Sequence, residues 1–210
     1  MRTSPDALPS GLARGLRSAY LVTGSEPLLI AESCDAVRSA ARAQQYADRE
    51  VHFLERGFDW NALLADAANL SLFASRRLIE LKLGPTPDAE AGRALAGLAE
   101  RPPADTVLLV SGELDYKGLK AAWVGAFEKH GVLVVAQTVE RPALPAWIVQ
   151  RLRRHGVEIE PTAAELLADR VEGNLLAAQQ EIERIALLMP GARLDAGQVA
   201  GLVADSARFD

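Results

Sequence analysis

The order of apolar and polar positions divides the chain into two parts. In the first, short apolar runs alternate with stretches of helical period. Ser4-Pro5 predicts a short helix, with serine as N-cap and proline in the first turn. Ala19-Tyr20-Leu21-Val22 predicts a buried strand that ends at Thr23-Gly24. From Pro27 to about Gln45, the residues Leu28, Ala31, Cys34, Val37 and Ala41 recur on one helical face. Val51-His52-Phe53-Leu54 predicts a second strand, and Asp59 is placed to cap a helix from Trp60 to about Leu70. In 78–83, Ile79, Leu81 and Leu83 alternate with Glu80 and Lys82, which predicts a strand with one wet face. Thr86-Pro87 opens a further helix that ends before Arg101-Pro102-Pro103. The runs 106–110 and 132–136 are apolar throughout, the pattern of strands covered on both faces, with a helix over 117–129 between them. Five strands alternating with helices predict an α/β fold: a five-stranded parallel sheet with flanking helices.

The alternation stops at Arg141-Pro142-Ala143-Leu144-Pro145, which predicts a boundary between an α/β domain, 1–141, and a helical domain, 142–210. Leu144, Ile148 and Leu152 lie at helical spacing with Trp147 adjacent, and Gly156 ends that helix. An extended link over 157–160 follows. Thr162 and Glu165 have the spacing of a capping box, in which hydroxyl and carboxylate each satisfy a free backbone donor. Asn174 is placed to cap a helix whose Leu175, Ala178, Ile182, Ile185 and Met189 form an apolar seam. Asp195 and Gln198 resemble another capping box before a last helix over 196–204.

Composition narrows the class. The chain has 210 residues and a net charge of -5, which argues against a protein coated in nucleic acid or lying on an anionic membrane, though not against a local basic patch. Cys34 is the single cysteine, so no internal disulfide forms and a reducing compartment is expected. The first residues lack the apolar core of a signal peptide, and no apolar run approaches the roughly 20 residues of a membrane span. A cytoplasmic protein without a membrane partner is expected.

Candidate chemistry is sparse. An α/β sheet often binds phosphate at the turn after its first strand. Counted from Gly24, the positions where a P-loop holds glycine, lysine and a hydroxyl residue hold Leu29, Ile30 and Ala31, and Pro27 removes one backbone donor. No nucleotide cofactor is expected there. The apolar strand at 107–110 runs into Ser111-Gly112, not into paired acids, and Glu113 and Asp115 fall in an expected loop. The histidines share no ligand spacing, so no metal site is expected, and nothing argues for catalytic residues. Two basic clusters stand out, Arg76-Arg77 and the helix end carrying Arg151, Arg153 and Arg154. Leu152 faces the seam and the arginines point elsewhere, either as a solvated helix end or as a nucleic-acid contact. The stretch from Ala68 to Arg77 places Leu70, Ser71, Leu72 and Phe73 in a connection, where polar residues are the rule. Leu70, Leu72 and Phe73 either fold back into the core or are presented to a partner.

Several motifs, in order along the chain, resemble one family. Tyr20-Leu21-Val22-Thr23-Gly24-Ser25-Glu26-Pro27-Leu28-Leu29 is similar to the opening strand and turn of the delta subunit family of the bacterial DNA polymerase III clamp loader. Asp59-Trp60-Asn61 leading into Leu70-Ser71-Leu72-Phe73-Ala74-Ser75-Arg76 resembles its clamp-binding element. Leu144-Pro145-Ala146-Trp147 and Glu172-Gly173-Asn174-Leu175-Leu176-Ala177 resemble its lid-domain signatures, and Ala204-Asp205-Ser206-Ala207-Arg208-Phe209 resembles the approach to its third domain. The resemblance implies an AAA+-like first domain that neither binds nor hydrolyses ATP, then a small three-helix lid domain. It implies that Leu72 and Phe73, with Leu70 and Ser71 beside them, bind the beta sliding clamp and that the subunit opens the ring for loading on primed DNA. It also implies gamma/tau and delta prime subunits as partners through a helical collar domain, which is expected to lie beyond Asp210. A DNA-binding or nucleotide-binding AAA+-like module is the alternative reading.

Overall fold

The computed structural model describes residues 1–69, 76–84 and 86–206, in two units, Met1–Thr138 and Val139–Asp210. The first unit begins with strand β1 (Arg2–Thr3) and helix α1 (Leu8–Arg14), followed by β2 (Ala19–Gly24), α2 (Pro27–Ala43), β3 (Asp48–Leu54) and α3 (Trp60–Asn69). It continues with β4 (Arg77–Leu83), α4 (Ala89–Glu100), β5 (Thr106–Glu113), α5 (Ala122–His130) and β6 (Val132–Ala136). The strands form one sheet in the order β1-β6-β2-β5-β4-β3, and every neighbouring pair is parallel.

The sheet thus has six strands, not the five read from the sequence. The additional one is β1, which pairs Arg2 with Leu133 and Thr3 with Val134. Two polar residues carry no alternation to read, and their partner strand lies at the far end of the unit. The apolar runs behave as their composition requires. Tyr20 and Val22 face Cys34, Val37 and Ala41 of α2 and Leu8 and Leu12 of α1, while Leu21 and Leu108 face Leu95 of α4 and Phe127 of α5. Each fully buried leucine of this kind contributes roughly 1.5–3 kcal/mol.

The wet face expected for β4 is absent at Glu80, whose side chain is 0% exposed. Arg38 of α2 donates Nη2 to Oε1 at 2.7 Å, and Arg49 of β3 donates Nη2 and Nε to Oε2 at 2.7 and 2.9 Å. Burial alone would raise the carboxyl pKa, but these two guanidinium groups outweigh it and hold the group below the ordinary carboxylate range. The polar residue in the alternating pattern is therefore a buried, doubly paired anion. Helix α4 also starts later than read, at Ala89, because Asp88 accepts from the backbone N–H groups of Glu90 and Ala91 at 3.0 and 2.9 Å.

The second unit holds α6 (Leu144–Arg154), β7 (Glu158–Ile159), α7 (Pro161–Arg170), α8 (Leu175–Leu188), β8 (Arg193–Leu194) and α9 (Ala196–Ser206). It has four helices among the described residues, as the periodicity reads and one more than the resemblance implies. The extended link is β7, which pairs in parallel with β8. Leu144, Ile148, Leu152, Leu167, Ile182 and Leu194 are fully buried. The capping box at Thr162 is not formed. Pro161 opens α7 with Glu160 as N-cap, so Thr162 falls inside the first turn and Glu165 pairs instead with Arg141 at 3.2 Å. Asn174 does cap α8, accepting from Ala177 N–H at 3.0 Å. Asp195 and Gln198 form the reciprocal pair, at 3.0 and 2.9 Å.

Candidate functional site

Residues Leu70, Ser71, Leu72 and Phe73 lie outside the described residues. What the structure gives is the two ends of the chain that lead into and out of them. At the near end, Asp59 accepts from Ala62 N–H at 2.9 Å and starts α3. Trp60 and Leu63 are buried in the core beneath this helix, and the Trp60 ring meets Phe58 edge-on at 4.9 Å. At the far end, Arg76 donates to the Gln44 carbonyl at 3.1 Å and lies 5.5 Å from the centre of the Tyr46 ring. Arg77 is buried, with Nη1 3.2 Å from Glu50 Oε1 and its backbone N–H on the Asp105 carbonyl at 3.0 Å. The Arg76-Arg77 pair is thus engaged with the protein itself and fixes where β4 begins.

The turn after β2 has a geometry of its own. Gly24 has φ of 146°, and a Cβ there would stand 1.9 Å from the Ala136 carbonyl oxygen, so only glycine allows β2 to approach the end of β6 this closely. The same oxygen accepts the backbone N–H groups of Ser25 and Glu26 at 2.9 and 3.3 Å. A phosphate cradle points such donors at the ligand. Here a protein carbonyl holds them. Glu26 then caps α2 with its own carboxylate, accepting from Leu28 N–H at 3.4 Å, and Pro27 has no N–H to give. The positive end of α2 therefore faces a fixed negative charge.

At the end of β5, Ser111 and Gly112 belong to the strand, which runs three residues beyond its apolar run. Asp115 is engaged with Gly118 N–H at 2.7 Å. Among the described residues no group of three His, Cys, Asp or Glu side chains could hold a metal ion. Cys34 is buried, and burial pushes its thiol up to about 11.

The basic helix end separates into two parts. Arg153 and Arg154 are exposed. Arg151 is buried at 8% exposure, contrary to the expectation that all three point away from the core. Its guanidinium stacks 4.1 Å from the centre of the Trp147 ring and donates to Gln179 Oε1 at 2.8 Å. The four-residue spacing of Trp147 and Arg151 on one helix is the sequence signal for this pairing. The Ala136 carbonyl that closes the turn had no such signal, because it is a backbone group brought in from another strand.

A parallel sheet with helices on both faces, followed by a small helical unit, is an AAA+-like α/β architecture. The family model for "DNA polymerase III, delta subunit" matches residues 20–137. DNA polymerase III subunit delta of Escherichia coli is 37% identical over 211 residues, covering 100% of this chain and 62% of the relative. The Haemophilus influenzae protein of the same name is 28% identical over 212 residues, covering 99% of this chain and 62% of its own length. In three dimensions the DNA clamp loader delta protein of Bacillus subtilis matches with a TM-score of 0.73 at 21% identity, over 95% of this chain and 62% of that one. The chain belongs to the DNA polymerase III delta subunit family and spans 62% of the length of the curated relatives it matches.

Proposed function

We propose that this chain is the clamp-binding part of a clamp-loader delta subunit. In this reading Leu72 and Phe73 enter an apolar cleft on the beta sliding clamp, Leu70 and Ser71 lie beside them, and binding favours the open ring so that it can be loaded on primed DNA. The observation that carries the reading is the match of the whole chain to a delta subunit at 37% identity. The anchoring of Trp60 and Leu63 before the segment and of Arg76 and Arg77 after it supports the reading, since a rigid frame lets an apolar pair be presented at little entropic cost.

The same reading makes the chain non-catalytic, a component of the polymerase holoenzyme with no nucleotide at the Gly24 turn. The turn at Gly24 supports this, because its donors are held by Ala136 and its helix is capped by Glu26. The first unit acts as the AAA+-like domain and the second as the lid, with gamma/tau and delta prime as partners of the longer protein. Any contact to primed DNA from α6 belongs to Arg153 and Arg154, because Arg151 is taken up by Trp147 and Gln179. In this reading the chain works in the cytoplasm; among the described residues no helix is long and apolar enough to cross a membrane. The test is capture of the purified clamp by this chain, compared with its Leu72→Ala, Phe73→Ala double variant. Equal capture by the two proteins would remove the assignment.

A further inference from the structure

At the N-terminal edge of the sheet, opposite the turn at Gly24, a cavity of about 610 Å3 lies between α1 and the starts of β2 and β6. Arg2, Arg14 and Arg17 line it, no carboxylate does, and none of the three has an ion-pair partner among the described residues. Exposed arginines alone are commonplace, and Arg14 also complements the C-terminal end of α1. Tyr20 adds what a solvated surface does not explain. It lines the cavity at 1% exposure, and its hydroxyl oxygen accepts the Arg17 backbone N–H at 2.8 Å. Among the described residues no acceptor takes the hydroxyl's own proton. A buried donor without an acceptor is unfavourable, so the site calls for a group that accepts. Burial raises the Tyr20 pKa and so keeps that proton in place, although Arg17 opposes the shift.

We infer that this cavity binds a phosphate group, with the Tyr20 hydroxyl and the guanidinium groups of Arg14 and Arg17 donating to its oxygens. An oxyanion accepts from all of these and donates to none, and guanidinium suits phosphate geometry. The volume exceeds that of a bare phosphate, and Leu12 and Leu16 give the cavity an apolar wall. The ligand is therefore a phosphate carried on an organic group, either in a nucleic-acid strand or in a free nucleotide.

The test is fluorescence anisotropy with two probes, a short labelled single-stranded DNA and a fluorescent adenosine monophosphate, in low salt. Binding of the DNA alone identifies the strand as the source, and binding of both admits the free nucleotide. Whichever probe binds, Arg14→Ala with Arg17→Ala should weaken it at least tenfold, and Tyr20→Phe should weaken it severalfold. Thermal unfolding of the arginine double variant should match the wild type, because both side chains are exposed. That variant stays decisive even where Tyr20→Phe lowers stability. No binding of either probe, or wild-type affinity in the arginine double variant, overturns the inference. Clamp capture is measured separately, so failure here leaves the clamp reading untouched.

Discussion

Replacing Glu80 by glutamine removes one negative charge from the interior of the first unit and leaves two guanidinium groups facing a neutral amide. Loss of one partner from a fully buried ion pair costs about 3–5 kcal/mol. Here the carboxylate is 0% exposed, but the Arg38 and Arg49 side chains are 24% and 45% exposed and partly rehydrate when released. That screening reduces the expected loss to roughly 2–3 kcal/mol. The assay is hydrogen exchange of the slowest amides of β5, which exchange through opening of the whole unit. At neutral pH, Glu80→Gln should lower their protection about 30- to 150-fold, taking 1.36 kcal/mol per factor of ten. The pH dependence follows from the lowered pKa of Glu80 in the fold. Such a group stabilises fully above the unfolded carboxyl value of about 4.3 and loses its contribution as pH falls through the lower folded value. The gap between wild type and variant should therefore be complete at pH 6 to 7 and close in stronger acid, below about pH 4. Equal protection at neutral pH, or a gap that persists undiminished in acid, would refute the assignment of Glu80 as a buried, doubly paired anion.

Other consequences are as direct. The Gly24 turn should hold no nucleotide, because Ala136 and Glu26 occupy the groups a phosphate would need, so the Arg14→Ala, Arg17→Ala variant titrated with Mg-ATP should release no binding heat; saturable binding by that variant would contradict this reading. Cys34 should react with iodoacetamide at pH 8 far more slowly in the folded protein than in urea, since its thiol is buried and pushed up to about 11; equal rates would show the site to be open. Arg153→Glu with Arg154→Glu should weaken any affinity for primed DNA while leaving clamp affinity within twofold, as expected of rim charges.

What the sequence makes legible tracks how local each determinant is. The strands β2, β5 and β6 show as continuous apolar runs because both of their faces are covered, and the ends of α3, α8 and α9 show in Asp59, Asn174 and the Asp195–Gln198 pair. Two of the departures involve partners distant in sequence. Strand β1 exists only by pairing with β6, and Glu80 is buried only because Arg38 and Arg49 reach it from α2 and β3. Thr162 fails as a cap because Pro161 starts the helix first. At the candidate site, spacing leaves Leu70, Leu72 and Phe73 divided between core and partner. The resemblance of the flanking motifs is what assigns them to a partner, and the identity of a cleft on another protein is not written in this chain's own periodicity.

The central claim is tested most directly by the affinity of this chain for an immobilised beta sliding clamp, with and without Leu72→Ala and Phe73→Ala. Truncating a hot-spot residue typically costs about 2 kcal/mol or more, so the double variant should lose at least about 30-fold in affinity. Its thermal unfolding should match the wild type. Wild-type affinity in the double variant would contradict the account, and so would a double variant that unfolds, which would return these residues to the core.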